Sequence, residues 1–386
     1  MEKKINNLPL EGIVVLDLTN VLSGPYATMI LRDLGAKIIK VEKPGGDDSR
    51  GFGPFVDEQS CYFISLNRGK KSILLDLKSK KDKKIFEKLL IKSDILIDNF
   101  KPGTLEKIGY NWEYLSKKFP KLIHGKISGF GETGPLNDQP AYDIIVQAMG
   151  GLMSLTGQNS DNLVRVGTSI GDIASSLFCV IGILSQLIFR NNTNLGSKLD
   201  LSMLDCQIAI LENAITRFSI DNVNPTPLGT DHPSISPFGA FKTKDDKIVI
   251  AIGNEKLFKK FCFLIDDSEM LIDEKFKSNL SRNINLKELR QRIEKKLKKK
   301  SSKHWVQKFS NNKIPCAEIN KIKDVINNKQ INERDMIAEY RINEKKVIKV
   351  SKSPLNFSFY PKNKKIELAP KLNQDADEIL KFFDIN

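Results

Sequence analysis

Short apolar runs rich in β-branched residues alternate with helical patterns through the first third of this chain, and that alternation constrains its fold more than any other feature. Residues 12–18 (GIVVLDL) read as a buried strand, 37–42 (KIIKVE) as a second, 72–77 (SILLDL) as a third, 94–100 (DILIDNF) as a fourth and 122–128 as a fifth. Between them the periodicity predicts helices over 26–34, 80–93 and from about 104 onward, with Pro25 at the first helical position and Gly35 as a stop. Strand–helix–strand units repeated this often predict an α/β protein with a parallel sheet covered by helices on both faces. The loop 129–134 (GFGETG) after the fifth strand matches the GxGxxG pattern of dinucleotide sites. Pro135 and Pro140 follow at once, however, so no long helix opens there, and the loop reads as tight turns at a ligand mouth.

The stretch 166–190 (VGTSIGDIASSLFCVIGILSQLIFR) holds a single carboxylate, Asp172, directly after Gly171 and at the head of an apolar run. Leu177, Val180, Ile181, Leu184, Leu187 and Ile188 recur at helical spacing and are expected to form a core face. An acid in the first turn of a helix serves as a cap, favoured by the helix dipole. The same acid on a rigid helix, at a glycine-lined opening, can instead attack an activated acyl group. Local sequence leaves both readings standing.

Further on, 196–203 reads as a strand followed by an amphipathic helix through Phe218. The Pro/Gly/Ser-rich segment 222–237 (NVNPTPLGTDHPSISP) then marks a domain boundary. Residues 239–253 have the shape of a hairpin turning at Asp245 and Asp246. Lysine-rich helices over 286–300 and 304–309 and a strand near 314–319 complete a smaller α+β domain. Strand character from Lys346 and a helix over 375–383 return the chain to the large domain. The expected division is therefore 1–221 (large domain, first part), 222–329 (small domain with its linker) and 330–386 (return).

The net charge of +14 raises the question of nucleic acid, but the lysines are spread along the whole chain without basic–aromatic interleaving. No nucleic-acid partner is expected, although the positive field favours a polyanionic small ligand. The opening residues lack the apolar core of a secretory signal. The longest apolar run, 177–189, is interrupted by Ser185 and Gln186 and is shorter than the roughly 20 residues of a membrane span. A cytoplasmic protein with no membrane partner is the expectation. Five scattered cysteines without CxxC spacing argue against disulfides and zinc. Of the histidines, His124 and His304 read as structural, His232 in the linker stays open, and none belongs to a metal-spaced cluster. No metal is expected. With neither a GxSxG elbow nor a Walker loop, carboxylate chemistry is what remains.

Long motifs in one order then carry a resemblance that spans the whole chain. They are residues 10–55 (LEGIVVLDLTNVLSGPYATMILRDLGAKIIKVEKPGGDDSRGFGPF), FISLNRGKKSILLDLKS, DILIDNFKPGTLEKIG, ISGFGETGP, PAYDIIVQAMGGLMSLTG, VRVGTSIGDIASSLF and GTDHPSISPFGAF. The chain resembles the family III CoA-transferases, which include formyl-CoA:oxalate and succinyl-CoA-dependent dicarboxylate enzymes and, as a relative, α-methylacyl-CoA racemase. The resemblance implies a Rossmann-like large domain and a small domain joined by long linkers, in a homodimer whose two chains interlock like rings. It implies that Asp172 is the nucleophile and passes through a mixed anhydride to an aspartyl-CoA thioester, which the acceptor acid then attacks. CoA is in that case a substrate, and no bound cofactor is required. CoA-binding positions carry over to Leu22 and Ser23, Lys43, Leu75, Asp76, Leu77 and Lys78, Asn99, Phe100 and Lys101, Lys107 and Tyr142. Leu22 stands where the formyl-CoA enzyme has glutamine, and Lys43 where it has arginine, which keeps the charge without the bidentate fork. Tyr142, followed by Asp143, stands where the racemases have the histidine of their two-base pair, and a tyrosine is a poor base near neutral pH. The implied activity is transfer of CoA from an acyl-CoA, succinyl-CoA foremost, to a carboxylic acid, with 2-methylacyl-CoA racemase or epimerase as the alternative.

Overall fold

The computed structural model describes residues 8–359 and 366–385, which group into two compact units. The larger unit contains the chain up to Leu152, Arg165–Ile220 and the part from Lys329 onward. Its centre is a parallel sheet of β1 (Val14–Asp17), β2 (Lys37–Glu42), β3 (Lys71–Leu74), β4 (Ile95–Asp98), β5 (Ile123–Ser128) and β6 (Lys198–Ser202), in the order β3-β2-β1-β4-β5-β6. Every residue of β1, β4 and β5 is buried, as near-continuous apolar runs require when both sheet faces are covered. On one face α1 (Ser23–Asp33) brings Ala27 and Leu31 against Val15 and Ile97. On the other, α2 (Lys80–Ile91) brings Phe86, Leu89 and Leu90 against Leu16 and Leu96. Three further helices matter for the site: α3 (Asp143–Met149), α4 (Ile170–Thr193) and α5 (Met203–Ala209). The strand order reverses between β1 and β4, which opens a crevice at the carboxyl ends of the strands.

Several local expectations are corrected. Pro25 is the third residue of α1, still within the turn whose N–H groups have no helical partner, so the proline is tolerated. The core face of α4 is Ser176, Cys179, Val180, Ile183 and Leu187, while Leu177, Ile181 and Ile188 are exposed; a helix apolar all round does not declare its inner face by periodicity. With 24 residues, α4 is long and apolar enough to cross a membrane by length and composition, more than the interrupted run suggested, yet its inner side belongs to the sheet core. The helix expected to run through Phe218 is broken into α5 and Ala214–Asp221.

The smaller unit joins Met153–Val164 to Asp221–Asn328. Its antiparallel sheet, β7 (Phe238–Lys242), β8 (Lys247–Ala251) and β9 (Cys316–Glu318), includes the hairpin, with Lys242 opposite Lys247. Its core sets Ile248 and Ile250 among Phe258 and Phe261 of α6 (Glu255–Leu264), Leu289 and Ile293 of α7 (Leu286–Leu297), and Trp305 and Phe309 of α8 (Ser302–Asn311).

The edge of β3 is covered by side chains from the end of the chain. Asp375 accepts from the Ser72 N–H (2.9 Å) and the Lys71 ammonium (3.1 Å), and Asn373 accepts from the Leu74 N–H (2.7 Å). Such cover removes the unpaired edge that would otherwise invite another strand.

Beneath the crevice, four ionisable side chains are buried together: Asp17 at the end of β1, Lys40 in β2, Asp47 after β2, and Lys70 just before β3. The Lys70 ammonium reaches Asp17 (3.0 Å), Thr28 (2.8 Å), Asn67 (2.8 Å) and the Pro25 carbonyl (3.0 Å). Lys40 pairs with Asp47 (2.8 Å) and donates to the Thr19 carbonyl (2.8 Å). Burial alone would raise the Asp17 value; Lys70, Lys40 and the hydroxyls of Thr19 and Thr28 outweigh it and hold the carboxyl well below its usual range. A folded value below the unfolded one means that Asp17 stabilises the protein above about pH 4, a contribution lost as pH falls further. Removing one partner of a buried set leaves the others uncompensated. Asp17→Asn is therefore expected to cost about 3–5 kcal/mol in urea unfolding at pH 7; a loss under about 1 kcal/mol would show that the set is not coupled.

Candidate active site

A cavity of about 210 Å³ lies in the crevice, lined after β1 by Leu18, Thr19 and Asn20, at the end of β2 by Val41, Glu42 and the following Lys43, after β3 by Leu75, Asp76, Leu77 and Lys78, and beyond β4 by Phe100, Thr104 and Ile108. Six of the sequence-derived positions thus share one apolar slot with two lysines at it: Lys43, Leu75, Asp76, Leu77, Lys78 and Phe100. Lys43 also pairs with Asp48 (2.7 Å) on the open side. Lys101 and Lys107 are exposed and line no part of this cavity, and Tyr142 is 77 % exposed just ahead of α3.

Asn99 ties the cavity to the head of α4. Its amide accepts from the Asn20 N–H (2.8 Å) and donates to the Asn20 carbonyl (2.8 Å) and the Ser23 hydroxyl (3.2 Å). Between these residues Val21 holds a φ of +66°, with its N–H on Asp47 (3.1 Å). That conformation is costly for a β-branched residue and persists because both flanks are pinned. Leu22 and Ser23 follow, so the loop bordering the cavity ends in a hydroxyl whose influence on Asp172 favours the carboxylate. Ser176, one turn into α4, donates to the Ser23 carbonyl (2.5 Å) and the Asp172 carbonyl (2.7 Å).

Asp172 is the third residue of α4, and the end of that helix is satisfied by another acid. Ser169 caps nothing with its side chain; instead the Gly171 N–H goes to Asp143 Oδ1 (2.8 Å), from the start of α3. Gln147 donates to Asp143 Oδ2 (2.7 Å) and accepts from the Val166 N–H (2.9 Å), and Arg165 lies 3.9 Å from Asp143. A Cβ on Gly171 would stand 2.7 Å from Val146 Cγ2 and 3.1 Å from Asp143 Oδ1, so the close approach requires glycine. Burial and then the Asp143 charge push the Asp172 carboxyl up to about 7, against the Ser23 hydroxyl, which favours the anion. Tyr62 feels the same cluster: burial, then Asp172, Asp47 and Asp143, raise its phenol above the ordinary value. A carboxyl that titrates near neutral pH at a cleft is a functional-site signature.

Asp143, Gln147 and Tyr62 were not among the sequence-derived site residues; an acid and an amide four apart on α3 are the one signal for the first two, and none pointed to Tyr62. The Gly150 N–H is taken by the Val146 carbonyl (2.8 Å) and the Gly131 N–H by Ser128 (2.9 Å). Gly129–Gly134 opens no helix, in keeping with the rejection of a dinucleotide loop. His124 is buried on Asp98 (2.7 Å), a structural pairing, and His304 is exposed. No group of three or more metal-ligating side chains occurs among the described residues.

The Asp172 titration has a sign that can be checked. Its folded value, about 7, lies above the unfolded value of 3.8, so the neutral form stabilises the fold below about pH 4 and that contribution is lost as pH rises through 7. Asp172→Asn never ionises. Its stability relative to the parent is expected to improve by roughly 1–3 kcal/mol between pH 5 and pH 8; parallel stability–pH curves would refute the shift.

The chain is 39% identical over 377 residues to the acetyl-CoA:oxalate CoA-transferase of Acetobacter aceti, covering 97% of this chain and 96% of that one. It is 38% identical over 377 residues to the succinyl-CoA:glutarate CoA-transferase of Mus musculus, covering 97% and 86%. Among solved structures, a CaiB/BaiF family protein from Brucella suis matches with a TM-score of 0.87 at 32% identity, over 98% of this chain and 100% of that one. A hypothetical protein from Mycobacterium tuberculosis matches with a TM-score of 0.85 at 27% identity, over 97% and 99%. Residues 10–376 match the profile of CoA-transferase family III, and the chain belongs to that family.

Proposed function

We propose that the protein moves CoA from an acyl-CoA, succinyl-CoA foremost, to a small dicarboxylic acid, with Asp172 as the covalent carrier. The observation that carries this reading is the Asp172 carboxyl itself, desolvated at the head of α4, opposed by Asp143 and linked through Ser23 and Asn99 to the cavity. The carboxylate attacks the donor thioester carbonyl, expelling CoA thiolate and leaving a mixed anhydride. The thiolate then attacks the aspartyl carbonyl, releasing the donor acid and leaving an aspartyl-CoA thioester. The acceptor carboxylate attacks that thioester, and the thiolate released for the second time takes the acceptor acyl group, which regenerates Asp172. An environment that moves Asp172 from 3.8 to about 7 disfavours the anion by on the order of 4 kcal/mol. The acylated side chain is uncharged, so the same environment favours the covalent intermediates over the resting carboxylate.

CoA fits as a substrate: its nucleotide takes the slot of Lys43, Leu75–Lys78 and Phe100, and Lys101 and Lys107 supply further charge from outside it. No bound cofactor enters the scheme. A dicarboxylic acceptor is supported by Arg165, 45 % exposed and beside Asp143, which can hold the carboxylate that does not react. The oxalate and glutarate named for the two relatives are acids of this kind. Racemisation would need two bases about one carbon, and this chain has a tyrosine, Tyr142, where the racemases have a histidine. We read the working form as a cytoplasmic homodimer of interlocked rings. Ile144, Ile145, Leu177, Ile181, Ile188 and Ile208, on α3, α4 and α5, are all exposed in one chain and supply the apolar surface that a second copy would cover.

Intact mass after incubation with succinyl-CoA is expected to show a CoA-sized, hydroxylamine-sensitive adduct that forms faster as pH rises through about 7. Asp172→Ala is expected to abolish the adduct and cut turnover by about a thousandfold or more; an adduct that persists in this variant would eliminate Asp172 as carrier. Arg165→Ala is expected to raise the acceptor KM about tenfold while leaving the donor adduct intact. Equal losses in both half-reactions would remove Arg165 from acceptor binding.

A further inference from the structure

Gln207, in α5, is fully buried, and neither its Nε2 nor its Oε1 has a hydrogen-bond partner among the described residues. A carboxamide in that state is costly to fold and calls for an explanation. Its surroundings are specific. A Cβ on Gly150 would stand 2.6 Å from Gln207 Cγ, so that glycine leaves the room this side chain occupies. The point where a Cβ on Gly171 would stand lies 3.4 Å from Gln207 Oε1 and 3.1 Å from Asp143 Oδ1, so the amide and the carboxylate border the same space left by a bare glycine. A half turn about the last side-chain bond exchanges the amide oxygen and nitrogen without changing the outline of the group. It presents a donor, in place of an acceptor, to the space that Asp143 Oδ1 borders.

We propose that Gln207 is a positioning residue for the transfer reaction: its carboxamide donates to Asp143 Oδ1, completing with the Gly171 N–H and the Gln147 amide a three-donor clamp that holds this carboxylate against the first turn of α4, opposite Asp172. The other groups around the pair come from each packed element. Arg165 lies on the open side, 3.9 Å from Asp143. The helix Cys61–Asn67 contributes Tyr62, which also feels Asp47. From α1 comes the Ser23 hydroxyl, and α5 adds Asp205 and Cys206. On β5, His124 and Lys126 are committed to Asp98, and on β6 Lys198 is committed to Glu132. Arg165 is therefore the cation toward which an unclamped Asp143 would swing. Such a swing takes its charge away from Asp172, which then ionises at lower pH.

The proposal rests on Asp172 as the reacting carboxylate, so its test reads the titration of Asp172 apart from turnover. In full-length protein labelled with ¹³C at aspartate carboxyls, the Asp172 signal is the one missing from Asp172→Asn. Gln207→Met, or Gln207→Leu should the first variant fold poorly, is expected to lower the Asp172 midpoint by about half a pH unit or more. The pH profile of adduct formation should move with it. In an Asp143→Asn background the same substitution should cause no further change. An unmoved midpoint, or an equal shift without Asp143, overturns the role of Gln207 whether or not the adduct forms. A displaced midpoint without any adduct would uphold the clamp and fault the transfer reaction instead.

Discussion

Two lysines and two aspartates buried without solvent in and beside β1, β2 and β3 are the constraint on which the rest of the site depends. Such a set is tolerable only if each charge is matched and each remaining donor is used, and here Lys70 alone is shared among Asp17, Thr28, Asn67 and the Pro25 carbonyl. That matching fixes where the segment after β1 can run. Lys40 takes its Thr19 carbonyl and Asp47 takes its Val21 N–H, so the chain crosses an unfavourable conformation at Val21 and delivers Asn20 to the cavity and Ser23 to Asp172. Charge placed in the core is here the means of aiming a loop at the surface.

The head of α4 follows a different logic. Most helix starts meet their free N–H groups with their own side chains; this one borrows an acid from α3 and thereby leaves its own first-turn acid available. The arrangement puts two carboxylates near each other on purpose-built supports, one clamped by amides and one with a single hydroxyl. Unequal support for like charges is how neighbouring acids are made to differ in chemistry.

The sheet was the legible part of the sequence, because strands buried on both faces leave runs such as VVLD and ILID that few other structures can use. The slot formed by Lys43, Leu75–Lys78 and Phe100 was legible only through a family resemblance, since each of those residues alone reads as ordinary surface or core. What escaped has identifiable reasons. The α6 helix, EKLFKKFCFL, hides its core face among lysines and aromatics that also suit a strand. Lys101 and Lys107 share a motif with the cavity residue Phe100 but not the cavity's walls, since neighbours in sequence diverge where a loop turns outward, and Tyr142 belongs to a motif that lines no part of it. Gln207 could not be found at all: a glutamine beside Ile208 on an amphipathic helix reads as solvent-facing, and only the two glycines opposite reveal that it is enclosed.

The cover on the edge of β3 has a consequence for how the chain is made. The contacts from Asn373 and Asp375 to Leu74 and Ser72 span about three hundred residues, so during synthesis the large sheet waits with one margin open until those two residues have emerged. The smaller unit is drawn mostly from one continuous stretch, Asp221–Asn328, and its core lies entirely within it. The order of events written into the connectivity is a nested one: the inserted unit closes first, and the margin of the enclosing sheet is covered by a segment that emerges after it. Over that interval the exposed margin of β3 is the place where a chaperone, or a second nascent chain, would find a strand to pair with.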